Sequence, residues 1–343
     1  MPSHIAVVAG DGAGKEVVPE AVKVLRAVGA DLEFEDFEIG ADRYLATGIS
    51  LDDATFEDLK AADAILFGAV GDPRVDEHYA AGVLLRIRFE MDLWANLRPA
   101  RLYDQRLSPL RDEKLREVDL LVVRENTEGI YIGAGGRFKK GTPDEVAIQE
   151  DVNTYKGVNR ILEHAFGRAR REVCMVDKSN AMGFAGGLWQ SRWKDLAPRH
   201  PELATRHLYS DACSMELVRD PSQFDVIVTG NLFGDLLSDL SAQLIGGMGI
   251  APSANLNPDN GKGLFEPVHG SAPRLAGRGI VNPIGAILSS GMMLAQFGLT
   301  AEAGAIEAAV IAAIRARECT RDIGGELSTA EAGDAVVSHL KGT

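Results

Sequence analysis

Short apolar runs that end in a glycine turn and give way to a helical apolar pattern constrain this chain more than any other feature. Ile5 to Ala9 runs into Gly10-Asp11-Gly12-Ala13-Gly14, after which Val17, Val18, Ala21, Val22, Leu25 and Val28 recur at helical spacing. Leu32, Phe34 and Phe37 alternate as a strand, Leu51 to Leu59 has a helical pattern, and Ala64 to Phe67 closes another buried strand at Gly68. A helix from about Ala80 to Leu93 leads to Asn96-Leu97-Arg98-Pro99, where Pro99 marks a change of domain, and Val118 to Val123 is a further strand. Helix 154–171, strand 172–176, helix 183–196 and strands 204–209 and 225–228 resume the alternation; helices near 283–297, 301–316 and 329–340 finish it. The pattern predicts an α/β protein. Between Tyr131 and Asn153 it breaks into a glycine-rich stretch, a Pro-Asp turn and an alternating run, which predicts a projecting hairpin arm. The 343 residues suffice for two domains at ~100–200 residues each. Without an internal repeat or long linker the two are expected to interweave.

Charge narrows the partners. Thirty-six Lys and Arg against 50 Asp and Glu give −14, a field that repels nucleic acid and anionic membrane surfaces. An anionic substrate would need a local cationic site. Cys174, Cys213 and Cys319 lie far apart and are odd in number, which fits a reducing cytoplasm better than a disulfide framework or thiolate metal site. The N-terminus lacks the pattern of a signal peptide, and Ile280 to Leu294 is too short and polar to span a membrane.

Asn231-Leu232-Phe233-Gly234-Asp235-Leu236-Leu237-Ser238-Asp239 follows the buried run Val226-Ile227-Val228. On a helix Asp235 and Asp239 share one face, about 5–6 Å apart at Cβ, and destabilise it unless something positive sits between them. Solvated helix acids are the bland alternative. The apolar setting of Leu232, Phe233, Leu236, Leu237 and Leu240 argues for charges that need a partner. All-oxygen ligation with water suits Mg²⁺ or Mn²⁺ rather than zinc. Arg88, Arg98 and Arg124 stand at element ends; each alone reads as an ordinary ion-pair residue, and three lining one cleft would be forked donors for carboxylates. Lys178, with Asn180 beyond it, is a candidate base and Tyr131 a matching acid. The Gly10-Asp11-Gly12-Ala13-Gly14-Lys15 turn matches neither the dinucleotide fingerprint nor the P-loop, so it reads either as a structural turn or as backbone lining a cofactor cleft.

Six segments together resemble the β-decarboxylating dehydrogenases, the family of isocitrate, isopropylmalate, homoisocitrate and tartrate/D-malate enzymes. They are Gly10-Asp11-Gly12, Asn96-Leu97-Arg98-Pro99, Val123 to Gly129, Asp177-Lys178-Ser179-Asn180, Gly230 to Asp235, and Phe265 to Pro273, in family order over nearly the whole chain. The resemblance implies a two-domain, non-Rossmann, isopropylmalate dehydrogenase-like fold. Residues 1–98 and 250–343 would bind the cofactor; 99–249 would hold substrate, metal and the dimer contact, with the arm at about 131–153 as an intersubunit clasp. It further implies Asp235 and Asp239 with Asp211 of the partner subunit as metal ligands, and Arg88, Arg98 and Arg124 as carboxylate clamps. Asn180 would bind substrate, Tyr131 would be the acid and Lys178 of the partner subunit the base. The reaction implied is metal-dependent oxidation of a (2R)-2-hydroxy-3-carboxy acid by hydride transfer to NAD(P), with loss of CO₂.

The same resemblance places the nucleotide along Gly10, Gly12 and Gly14, at Val70, and at Glu266, His269, Gly270, Ser271, Ala272, Arg274, Val281, Asn282 and Arg321. Arg274 stands where NAD-specific members carry an acid, and Val281 and Arg321 also point to NADP, although Leu275 replaces the tyrosine of the NADP pattern. The cofactor is therefore read as NAD or NADP, with NADP tolerated. Leu84 and Leu85 would face the C3 substituent, as in isopropylmalate enzymes, and a methylene there is worth about 1–3 kcal/mol. Arg124 to Gly129 and Ile250 to Pro258 look closer to tartrate/D-malate enzymes, and Ala80 and Ala81 stand where isopropylmalate enzymes carry glutamate. The expectation is a 3-isopropylmalate-type substrate, with D-malate, tartrate or another 3-substituted malate as alternatives. A regulatory homologue without turnover is the alternative of a different class; such proteins tend to lose the base, acid or metal carboxylates, which this chain keeps.

Overall fold

The computed structural model describes residues 2–113 and 117–342. Its strands are β1 (Ser3–Gly10), β2 (Leu32–Asp36), β3 (Ala64–Ala69), β4 (Ala95–Arg101), β5 (Asp119–Glu125), β6 (Gly135–Phe138), β7 (Val146–Gln149), β8 (Glu172–Asp177), β9 (Ala204–Tyr209), β10 (Val226–Thr229), β11 (Pro252–Leu256) and β12 (Gly263–Pro267). All but β6 and β7 join one sheet in the order β2-β1-β3-β12-β11-β4-β5-β10-β8-β9. The fold is mixed α/β, as the alternation predicts.

Each end of this sheet is a parallel wing, β2-β1-β3-β12 and β5-β10-β8-β9. Three successive antiparallel pairings, β12-β11, β11-β4 and β4-β5, join them, so the wings run in opposite senses. The first wing and β11 draw on both ends of the chain, the second on its middle. Pro99 lies inside β4 opposite Leu121, so the chain crosses the middle of the sheet along one strand. Buried amides mark this crossing. Asn96 Nδ2 donates to Ser253 Oγ (2.9 Å) and Asn255 Oδ1 (3.0 Å), Asn126 Nδ2 donates to Asn255 Oδ1 (3.0 Å), and Asn255 Nδ2 donates to Glu266 Oε1 (2.9 Å). Their mutual pairing offsets part of the cost of taking polar groups out of water, with Asn96 Oδ1 and Asn126 Oδ1 left buried without a partner.

Several boundaries differ from the sequence reading, each for a local reason. The helix expected at 154–171 is Tyr155–Phe166, because the Asp225 carboxylate accepts the backbone N–H groups of Arg170 and Arg171 and turns the chain into β8. The helix expected at Ala80 to Leu93 starts at Glu77, passes through a π-turn at Ala81–Leu85 and ends at Glu90. Asp92 follows in the left-handed region (φ 47°), held by Arg160 through two hydrogen bonds of 2.8 and 2.9 Å. The helix Ser210–Arg219 has no counterpart in the sequence reading. The arm forms as β6 and β7, paired Gly135 to Gln149 and Phe138 to Val146, with every residue of both strands exposed. Its reversal places Lys139 and Gly141 at positive φ. Among the described residues no helix is long and apolar enough to cross a membrane.

Candidate active site

Helix Asn231–Leu244 begins directly after β10 and lies against β4 and β5. Gly234 faces the stem of Arg124: a Cβ there would sit 2.5 Å from Arg124 Cγ, so the glycine lets helix and arginine approach. The fit brings two cations onto the helix carboxylates. Arg124 Nη1 donates to Asp235 Oδ1 at 2.6 Å, and Arg98 Nη1 reaches the same oxygen at 3.0 Å, Ser238 Oγ at 2.8 Å and Asp239 Oδ1 at 3.5 Å. Arg98 is therefore the positive group between the two aspartates that their helical spacing demands. Burial raises the Asp235 pKa, but Arg124 and Arg98 overcome it and hold the carboxyl below its ordinary value. Asp239 is only half-exposed, and its pKa is raised by burial in spite of Arg98.

Tyr131 completes the group by donating its Oη to Asp235 Oδ2 at 2.8 Å. Burial first, and the Asp235 charge second, push its pKa up, so the phenol keeps its proton. Arg88 lies across the cleft. Its Nη2 donates to Glu266 Oε1 at 2.6 Å within a pair that is nearly solvent-free on both sides. Arg88, Arg98, Arg124, Tyr131 and Asp235 line one cleft of about 210 Å³, together with Val70, Leu84, Glu266, His269 and Gly270. Arg88 Nε and Arg98 Nε are buried there without a hydrogen-bond partner. Three arginines lining one cleft suit a ligand that brings carboxylates.

Residues expected to bind the cofactor meet around the first glycine turn. A Cβ on Gly10 would lie 1.9 Å from Ala69 O, one on Gly12 2.1 Å from Ser271 O, and one on Gly14 2.1 Å from Ala9 O. Ala13 N donates to Ser271 O at 2.7 Å. These glycines pack three loops together at positions where no side chain fits. The buried Asp11 reinforces them: Oδ1 accepts from Ala41 N (2.7 Å), and Oδ2 from Gly71 N (2.9 Å) and Tyr79 Oη (3.0 Å). His269 Nδ1 lies 2.9 Å from Gly270 O, and with the proton on Nδ1 the buried Nε2 is an acceptor with no partner. Burial holds this ring neutral. An unpaired acceptor beside an open glycine loop fits a nucleotide's donors. Ala272 adopts φ 42°, Arg274 and Arg321 are exposed, Val281 packs into the core, and Asn282 Nδ2 donates to Asp322 Oδ2 at 3.0 Å.

Lys178, Asn180 and Asp211 lie away from this cleft, beyond the ends of β8 and β9, and Asp239 is not among its lining residues either. Lys178 follows β8 and pairs with Asp211 at 2.7 Å, its Nζ 5.9 Å from the centre of the Tyr209 ring. Lys178 lines a separate small cavity with Asp177, Trp189 and Asn231, and Asn180 is exposed. Asp211 is held below its ordinary pKa by the Lys178 hydrogen bond. Leu84 lines the arginine cleft, while Leu85 is not among the residues that line it. Among the described residues no group of three His, Cys, Asp or Glu side chains within one chain could hold a metal. Asp235 and Asp239 alone are two hard oxygen ligands, which fit a divalent cation whose other ligands come from outside the chain. Asn231, Ser238, Asn255 and Asp11 hold the site's charged groups and loops without any role legible in the sequence pattern. Asn231 and Asp11 stand inside the quoted motifs, where burial of a polar side chain was the missing signal.

Comparison with known proteins agrees with this geometry. The isocitrate/isopropylmalate dehydrogenase family profile matches residues 4–336. The chain is 45% identical over 343 residues to 3-isopropylmalate dehydrogenase of Corynebacterium jeikeium (strain K411), covering 98% of this chain and 99% of that protein. It is 45% identical over 342 residues to 3-isopropylmalate dehydrogenase of Mycobacterium sp. (strain KMS), covering 98% and 100%. The crystal structure of isocitrate dehydrogenase from Methylococcus capsulatus superposes with a TM-score of 0.92 at 35% identity, covering 99% of both chains. A match this long over a shared fold leaves one assignment: this chain belongs to the isocitrate/isopropylmalate dehydrogenase family.

Proposed function

We propose that this enzyme oxidises and decarboxylates a (2R)-2-hydroxy-3-carboxy acid of the 3-isopropylmalate type, passing a hydride to NAD or NADP. The convergence of Arg88, Arg98 and Arg124 with Tyr131 in one cleft carries this reading. The guanidinium groups of Arg88, Arg98 and Arg124 take the substrate carboxylates, and Leu84 and Val70 supply an apolar wall for the C3 substituent. Asp235 and Asp239, joined by Asp211 of the partner subunit, would hold Mg²⁺ or Mn²⁺, which supplies concentrated positive charge at the C2 oxygen. Lys178 of the partner subunit takes the hydroxyl proton. Tyr131, held protonated beside Asp235, returns one to C3 after CO₂ leaves.

A homodimer with shared sites follows from this assignment, because Lys178 and Asp211 sit outside their own chain's cleft. The exposed Phe138, Val146 and Ile148 of the arm and Met215, Val218 and Leu236 of two neighbouring helices are the apolar surface it would bury. Within each subunit, 1–98 with 250–343 forms the nucleotide half and 99–249 the substrate half. Arg274 and Arg321 favour tolerance of NADP, and three buried free cysteines suit the cytoplasm. The test is initial rates with 3-isopropylmalate, D-malate, tartrate, isocitrate and homoisocitrate, against both nucleotides and with Mg²⁺ or Mn²⁺. 3-Isopropylmalate is expected to give the highest kcat/KM. Preference for malate or tartrate would reassign the substrate, and no turnover with any acid would make the chain a binding homologue. A hundredfold preference for NAD would sink the NADP reading.

A further inference from the structure

Asn231 has no part in the proton and hydride steps and lies behind the cleft rather than in its lining, yet it bonds both the cleft arginine Arg124 and the backbone that leads to Tyr131. It is buried at the first turn of its helix. Its Oδ1 accepts from both Nε (3.0 Å) and Nη2 (2.7 Å) of Arg124, and its Nδ2 donates to Glu128 O at 2.8 Å. The amide's two ends thus face opposite demands, a cation and a carbonyl.

A guanidinium has two edges on which a carboxylate can dock in parallel, Nε/Nη2 and Nη1/Nη2. Asn231 occupies the first edge of Arg124 and leaves the second, which already bonds Asp235, for the cleft. The Glu128 carbonyl begins the segment leading through Gly129 (φ 79°) to Tyr131, and a Cβ on Gly129 would lie 3.0 Å from Asn231 Cβ. The contacts therefore close a ring. It runs from Asn231 to Arg124, from Arg124 to Asp235, from Asp235 to Tyr131, and back along the chain to Glu128 and Asn231.

We infer that Asn231 is a positioning residue that sets which edge of Arg124 meets the substrate and fixes the segment carrying Tyr131, so that clamp and proton donor move as one unit. The inference rests on the roles proposed above for Arg124 and Tyr131. Asp at this position keeps the acceptor for Arg124 and loses the donor for Glu128; Ala loses both.

The test compares Asn231→Ala and Asn231→Asp in the wild-type and Tyr131→Phe backgrounds, by steady-state kinetics and hydrogen exchange of the full-length enzyme. Asn231→Ala is expected to lower kcat tenfold or more and to raise KM for the hydroxy acid about tenfold, leaving the nucleotide KM within twofold. In the Tyr131→Phe background the further kcat loss should shrink below threefold, because the donor it positions is gone. Asn231→Asp should repeat the kcat loss. Both variants should speed amide exchange in 129–133 tenfold while exchange in β3 and β12 stays unchanged. Exchange at 129–133 equal to wild type overturns the inference, whether or not the wild type turns over the acids tried. So does equal kcat loss in both backgrounds, a parallel rise in both KM values, or a wild-type kcat in Asn231→Asp. An inert wild type with accelerated exchange in the variants overturns the proposed reaction and leaves the positioning intact.

Discussion

The arginine cleft and the Lys178–Asp211 edge contain the same chemical pairing, a cation against a carboxylate, in opposite physical settings. Arg124 and Asp235 expose 1% and 31% of their side chains; Lys178 and Asp211 expose 26% and 67%. Charges in the cleft come with counter-ions from the same chain, because removing an uncompensated charge from water costs several kcal/mol. At the edge, water already screens the pair. Asp211 can therefore exchange Lys178 for another ligand at little cost, whereas Asp235 cannot be separated from Arg124 without penalty. One region is a finished electrostatic structure, and the other keeps its charges open to exchange.

Substitutions can break or sharpen this contrast. The largest effect is expected at the exposed edge: Lys178→Met should lower kcat by about 10³-fold or more, near the upper range for losing a general base. Its unfolding midpoint and Mg²⁺-dependent binding of the hydroxy acid, followed by calorimetry, should stay close to wild type. Unchanged turnover would refute the base assignment. In the cleft, Arg124→Met should cost roughly 3–5 kcal/mol of stability in urea unfolding, because it leaves Asp235 with a buried, half-compensated charge. A cost under about 1 kcal/mol, the range of exposed pairs, would erase the distinction between the two regions. Replacing Phe138 and Val146 together by Ser should shift the mass seen by light scattering toward a single chain, with little loss of secondary structure. A mass that stays unchanged and equal to one chain would remove the arm as a clasp.

The smallest effect should be a pH dependence close to the cleft. Burial, with the Glu128 charge adding to it, pushes the Glu125 pKa up to about 7 despite hydrogen bonds from Thr127 and the Glu128 N–H. Its folded value lies above its unfolded one, so its stabilising contribution is complete below the unfolded carboxylate pKa and is lost as pH rises through about 7. Glu125→Gln should therefore flatten the fall of the unfolding midpoint between about pH 4.5 and 7. Parallel curves for the two proteins would contradict the shift.

The two regions also differ in how well they could be read from the sequence. Asp235 and Asp239 announced themselves by helical spacing in an apolar run, and the demand for a cation between them followed from like-charge repulsion alone. That Arg98 meets the demand, from 137 residues away, is tertiary information that no local pattern carries. The resemblance nominated the arginines, but not their counter-ions Glu266 and Asp235 within the same chain. Helix Ser210–Arg219 escaped for a different reason. It buries Cys213 and Leu217 on one face and exposes Met215 and Val218 on the other, so its apolar residues give no single stripe at helical period. The sequence pattern of a helix with two apolar faces becomes legible only once both of its partners are known.

The unbroken ladder from β2 to β9 has a mechanical consequence. The cleft is framed by side chains from β4 and β5, by the loops after β3 and β12, and by the helix after β10, all carried on that ladder. Strand β4, which carries the chain across the middle of the sheet, is paired with β5 along its whole length. Any turn of one wing against the other would pass through the antiparallel pairings of β12, β11, β4 and β5, whose twist tolerates a range of angles. The Asn96–Asn255–Asn126 amides bolt these strands together through their side chains. These side-chain bonds reinforce the backbone ladder where the two wings join, away from the cleft, whose lining includes none of the three asparagines.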